Sequence, residues 1–206
     1  MNLYVNAALQ HAYLVFMAAG FILTIGLSLG IAAYVFPGVR KPVLLILDLF
    51  QTIPTLATLG FLVVLVGANA TTVIIGLILY SLLPVVKNTL VGLDRVDPGI
   101  KEAAQGMGMP RWKRLVQVEL PLAFPMVYAG MRIALVTSIG FAVFGAIVGG
   151  GGLGTLLYRG VRNQNMTMIL TGTLTLMILS VIIDGTMGWI EKTYLIKEKT
   201  NTRRIL

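Results

Sequence analysis

"EAAQGMGMPRWKRLVQVELP", residues Glu102 to Pro121, is a polar island in an apolar chain. It holds two acids, three bases, two glycines and two prolines. Of all 206 residues, 57% are hydrophobic and only 12% are charged, and mean hydropathy is +0.88. Soluble domains carry about 25% charge, so this composition suits a bilayer as its solvent. A polar segment of this length needs a reason to interrupt such a chain.

A helix needs about 20 apolar residues to cross the hydrocarbon. Five runs qualify on either side of the island: residues 12–36, 43–66, 70–93, 122–148 and 166–190. The expected fold is therefore an all-α membrane protein of about five transmembrane helices, forming one transmembrane domain over residues 1–206. The second run carries Asp48, the fourth Arg132 and the fifth Asp184, while Pro84 predicts a kink in the third.

The net charge is +8. Its distribution follows the positive-inside rule. Arg40 and Lys41 separate runs one and two, and Lys87, Arg95, Lys101, Arg111, Lys113 and Arg114 lie in or beside the polar loop of residues 97–121. Five more bases follow run five, whereas the opposite side receives only Arg159 and Arg162. This predicts an outside N-terminus and a cytoplasmic C-terminus, with the loop in the cytoplasm. The bases are not interleaved with aromatics, so no nucleic-acid partner is expected. The first base is Arg40, so no basic n-region of a signal peptide precedes run one.

With no cysteine, disulfides and thiolate chemistry are excluded. The lone histidine, His11, reads as interfacial and has no second histidine with which to share a metal. H-E-x-x-H and G-x-S-x-G are both absent, which argues against an intramembrane hydrolase, and no G-x-x-x-x-G-K-[ST] exists to cradle ATP. The chain is therefore expected to be no enzyme and to bind no cofactor.

Within the loop, Asp97 can cap a helix with Pro98 in its first turn. Gly106 and Gly108 can end that helix. Pro110 can start a second short helix, "PRWKRLVQVEL", broken by Leu120-Pro121 before run four. A basic amphipathic helix on anionic lipid would explain "RWKRLVQV". It does not explain the alanine-glycine segment before it, which presents backbone and small side chains and suits a protein cleft.

The spacing resembles the EAA loop of ABC importer permeases, the binding-protein-dependent transport system inner-membrane components. That pattern, E-A-A-x(3)-G-x(9)-I-x-L-P, falls on Glu102, Ala103, Ala104, Gly108, Val118, Leu120 and Pro121, with valine replacing isoleucine. "QTIPTLATLG" (Gln51 to Gly60) and "IVGGGGLGTLLYRG" (Ile147 to Gly160) are similar to the glycine betaine/carnitine/choline branch, which imports osmoprotectants. The resemblance implies a type I (MetI-like) permease bundle in the bacterial cytoplasmic membrane. Glu102, Ala103, Ala104, Gly106, Gly108, Arg111, Leu120 and Pro121 would form the coupling element. It implies as partners ABC ATPase subunits carrying ATP and magnesium, a second permease copy or paralogue, and a separate extracytoplasmic substrate-binding protein.

Thr52, Pro54, Tyr80, Phe141 and Phe144 are candidates to line a pathway, their aromatic faces suiting a methylated ammonium. Gly149, Gly150, Gly151 and Gly152 form a flexible turn, either an outer gate or a site of close packing. Although Gly149, Gly151 and Gly154 match G-x-G-x-x-G, no βαβ unit surrounds them. Gly26 and Gly30 form a G-x-x-x-G expected to pack within the subunit. Arg132 is expected to pair with Asp184 or Asp48 rather than to relay protons. The basic tail "KEKTNTRR" reads as a solvated positive-inside segment, with ionic-strength sensing as the alternative. The competing readings are an ABC importer permease for another small solute and a non-transporting membrane adaptor with a lipid- or regulator-binding basic loop; the full motif spacing argues against the adaptor.

Overall fold

The computed structural model describes the backbone of residues 3–205 and the side chains of residues 3–193. Among the described residues the chain is helical, with no strand. Its helices are α1 (Leu3–Val35), α2 (Pro37–Thr52), α3 (Thr55–Val66), α4 (Ala70–Asp94), α5 (Pro98–Gly106), α6 (Arg111–Arg114), α7 (Leu120–Ala142), α8 (Gly154–Arg162) and α9 (Met166–Ile205). A π-helical stretch, Leu115–Glu119, joins α6 to α7, and a 3-10 stretch, Val143–Val148, follows α7.

Among the described residues four helical rods are long and apolar enough to span a bilayer: Leu3–Val35, Ala70–Asp94, Arg111–Val148 and Met166–Thr193. The expected second span is not one helix. It bends by 101° between α2 and α3, and only as a bent pair does it count as a fifth crossing. Pro54 sets the break, because its ring cannot continue a helix built on Gln51 and Thr52. The apolar run over residues 43–66 hid a turn that hydropathy alone does not register.

α4 is the hub. Half of its span is buried, against 11% for α9, which lies at the periphery. α1 crosses α4 where glycines permit it. A Cβ on Gly26 would lie 2.9 Å from Val85 Cβ, and one on Gly30 would lie 2.7 Å from Thr89 Cβ. α7 approaches from another side, where a Cβ on Gly130 would lie 2.7 Å from Pro84 O. In lipid, such close van der Waals contact drives helix association. The G-x-x-x-G of α1 thus serves contact inside the subunit.

α4 runs unbroken through Pro84. Proline cannot donate to the carbonyl four residues back, here Tyr80 O. Gln51 Nε2 of α2 donates to that oxygen at 3.0 Å. The bent segment and the hub are thereby tied at the proline. The core along α1, α4 and α7 contains Leu14, Val15, Ile22, Leu77, Val85 and Ile139.

The bundle has two distinct ends. At one, Arg40 of α2 reaches Asp94 of α4 at 2.6 Å and Arg111 Nη2 donates to Val35 O at 2.8 Å, which gathers the polar loop and its neighbouring bases. At the other, the α3–α4 turn, the start of α1 and the glycine turn meet. A Cβ on Gly149 would lie 3.3 Å from Ala68 O, and Gly152 N donates to Gln10 Oε1 at 3.3 Å. We call these the loop end and the far end.

His11 does not face the interface. It is fully buried at the far end of α1. The cause is the change of helix type after α7. Val143 N–H bonds back to Gly140 O, a 3-10 step that frees Ile139 O. His11 Nε2 lies 3.1 Å from that carbonyl and supplies the missing donor.

Candidate functional site

The loop end begins with the predicted cap. Asp97 Oδ1 accepts from Gly99 N at 2.7 Å, and Pro98 occupies the first turn of α5. α5 ends at Gly106, and Gly108 adopts φ +80°, a left-handed conformation that favours glycine. Met109 N then bonds to Ala104 O at 3.2 Å and closes the turn.

Of the nine residues of α5 only Ala104 is buried. Glu102, Ala103, Gly106 and Gly108 are exposed. Glu102 makes no ion pair among the described residues. A Cβ added at Gly106 or Gly108 would meet nothing within 4 Å. Gly106 and Gly108 therefore answer to no neighbour among the described residues, whereas Ala104 is packed against the chain. Met107 and Trp112, 73% and 66% exposed, flank the same surface.

The second half of the loop differs from its expectation. "PRWKRLVQVEL" is not a separate helix, and Leu120-Pro121 does not break it. Residues 111–148 form one rod. The π-helical stretch explains this. Leu120 N bonds to Leu115 O, five residues back, so the helix widens ahead of Pro121 and accommodates its ring. Pro121 thus lies inside the continuous rod, just after the widened turn. Arg111, assigned to the coupling element, fastens the start of this rod to the end of α1.

The same stretch turns Glu119 inward, where it is 2% exposed. Tyr34 OH donates to Glu119 Oε2 at 2.6 Å, and Arg114 Nε donates to Oε1 at 2.8 Å. Arg114 Nη1 also donates to Gln105 Oε1 of α5 at 3.1 Å. Lys101 of α5 donates to Tyr34 OH at 3.1 Å and to Leu93 O at 2.9 Å. A cavity of about 360 Å³ opens beside this group, lined by Tyr34, Arg111, Trp112, Arg114 and Glu119 among others. Sequence reasoning missed Tyr34, Lys101, Arg114 and Glu119 as a unit. The one available signal was an acid directly before Leu120-Pro121, in the motif's unspecified position.

The aromatic, threonine and proline pathway candidates fall in three places. Thr52 and Pro54 sit exposed at the α2–α3 bend. Tyr80 and Phe141 pack on each other with ring centroids 5.0 Å apart and Phe141 buried, so these two rings form a packed pair rather than an open cage. Phe144 is exposed nearer the far end. Ser81 and Ser138 bond to each other at 3.0 Å in the buried core.

Gly149, Gly151 and Gly152 all take positive φ, between 75° and 81°. Gly150 packs against Val73. Close packing thus accounts for part of this turn. α8, absent from the apolar runs, follows it and carries exposed Tyr158, Arg159 and Arg162.

Arg132 forms a bidentate pair with Asp184, 2.7 and 2.9 Å, and reaches Glu191 at 3.0 Å. Asp48 instead faces Lys87 at 3.9 Å. The side chains of "KEKTNTRR" lie outside the described residues. Among the described residues no cluster of three metal-ligating acids or histidines occurs.

The model of the family described as "Binding-protein-dependent transport system inner membrane component" matches residues 12–195. The chain belongs to that family. It is 37% identical over 180 residues to the osmoprotectant import permease protein OsmW of Salmonella typhimurium, covering 85% of this chain and 84% of that one. It is 40% identical to the glycine betaine/carnitine/choline transport system permease protein OpuCD of Bacillus subtilis, covering 82% and 74%. With a chain of the inward-facing MetNI methionine ABC transporter it shares a TM-score of 0.84 at 26% identity, over 93% of this chain and 96% of that one. The permease fold of ABC importers is therefore the fold of this family member, and the membrane helices are those of an inner-membrane component.

Proposed function

We propose that this chain is the permease subunit of an ATP-driven importer for quaternary-ammonium osmoprotectants: glycine betaine, carnitine or choline. The observation that carries the role is α5. Ala104 holds it to the chain, while Glu102, Ala103, Gly106 and Gly108 are exposed and a Cβ at either glycine would meet nothing within 4 Å, as on a surface made for another protein. The names of the relatives support the substrate class.

In this reading, residues 1–206 act as one translocation domain beside a second copy or a paralogue. α5 seats in a cleft of an ABC ATPase, with Glu102, Ala103, Ala104, Gly106 and Gly108 at the contact. Arg111, Leu120 and Pro121 carry the load into α7. ATP and magnesium are held by that partner, and an extracytoplasmic binding protein delivers solute at the far end. The N-terminus lies outside and the C-terminus in the cytoplasm. Closure of paired ATPases draws the two α5 helices together and rocks the spans between inward- and outward-open states. Thr52, Pro54, Tyr80, Phe141, Phe144 and the turn Gly149 to Gly152 border the route or gate it.

Purification from native membranes in mild detergent tests this directly. The expected result is co-purification of an ATPase and a binding protein. Reconstituted vesicles should then accumulate labelled betaine, carnitine or choline only with ATP. A chain that emerges alone, or with a soluble regulator and no uptake, defeats the proposal.

A further inference from the structure

We infer that Glu119 is a positioning residue for the coupling stroke: its buried carboxylate, tied to Tyr34 of α1 and Arg114 of α6, links α5 to the spans. This rests on the importer reading and names the linkage inside it.

The argument starts from how little else holds α5. Ala104 is its sole buried residue, so apolar packing fixes the helix weakly. Asp97 caps α5 locally and anchors nothing beyond it. The side-chain bonds that leave α5 come from Lys101 and Gln105. Lys101 ends on the Tyr34 hydroxyl and on Leu93 O, and Gln105 ends on Arg114. Tyr34 and Arg114 both donate to Glu119. Two of the three routes out of α5 therefore converge on one carboxylate.

The chemistry suits a strut. A carboxylate accepting from an ionised guanidinium forms short, directional bonds. Buried at 2% exposure, it cannot exchange these partners for water cheaply. Glu119 occupies the last residue of the π-helical stretch, and the widened turn is what brings its side chain inward at the root of the rod that becomes α7. A displacement of α5 therefore reaches α1 through Tyr34 and α7 through the backbone of Glu119.

The test uses the complex purified from native membranes with its ATPase and binding protein, reconstituted in vesicles. Glu119→Gln, Glu119→Asp and Tyr34→Phe are compared with wild type for assembly, ATP hydrolysis and uptake of labelled solute. Tyr34→Phe removes one hydroxyl and keeps the ring, so it reports even if Glu119→Gln fails to assemble. The expected result is assembly and hydrolysis near wild type for Tyr34→Phe. Its uptake falls about tenfold, so ATP consumed per solute rises by that factor. Glu119→Gln behaves likewise and Glu119→Asp recovers part of the loss. Unchanged ATP consumed per solute in Tyr34→Phe overturns the inference, and so does a loss of uptake that only tracks loss of assembled complex. Absence of ATP-driven uptake in wild type would instead defeat the importer reading itself.

Discussion

The two ends of the bundle are closed by different chemistry. At the loop end, Tyr34 and Arg114 converge on a buried carboxylate, and α5 hangs from these two through Lys101 and Gln105 as an exposed ledge. At the far end, glycines let neighbouring helices and turns approach closely, with the His11 imidazole as a clasp on Ile139 O. Charged, directional bonds hold a shape under displacement. A glycine turn with three residues at positive φ offers no side chains of its own and is held by close approach of Val73, Gln10 and His11. In an alternating-access machine the first suits the end that receives force, and the second suits the end that opens.

Substitutions at each end sharpen this contrast. The largest effect is expected at Gly154, where an added Cβ would collide with the Val143 carbonyl. Gly154→Ala should destabilise the permease by about 3 kcal/mol or more, read as a lowered melting temperature in detergent. Next, His11→Leu leaves Ile139 O without its donor and should cost about 1–2 kcal/mol. Hydrogen exchange should then quicken in the glycine turn and not in α5. Gln51→Leu orphans Tyr80 O beside Pro84 and should cost about 1 kcal/mol, again by thermal melting. Equal quickening of exchange at both ends in His11→Leu would erase the distinction drawn here.

The smallest effect on the isolated chain belongs to Gly106→Ala. Nothing lies within 4 Å of the new Cβ, and alanine is the better helix former by about 1 kcal/mol. Stability should hold or rise slightly. Assembly with the ATPase should nevertheless weaken, because a methyl group is added on the face the partner is proposed to cover. Pull-down of the ATPase from variant membranes reads this.

Much of this fold was legible because a bilayer imposes length and hydropathy on every span. α1, α4 and α9 lie where unbroken apolar runs predict them. The capped start of α5 and its glycine end were legible from Asp97, Pro98, Gly106 and Gly108, whose backbone roles are local. The bend at Pro54 was missed because both of its arms are apolar. Continuity through Leu120-Pro121 was missed because a π turn depends on a hydrogen bond five residues back, which no residue type announces. Glu119 and Tyr34 stand 85 residues apart, so only tertiary packing joins them. His11 was misjudged for a similar reason: its partner carbonyl is freed by a 3-10 step on another helix.

The central claim, that α5 is a surface for an ATPase, can be tested by one measurement. Wild type has no cysteine, so Gly106→Cys gives a unique label on α5. Its reaction rate with a membrane-impermeant maleimide is compared in the permease alone and in the assembled complex. Fast labelling of the lone permease and strong protection in the complex is the predicted result. Equal labelling in both would contradict the claim.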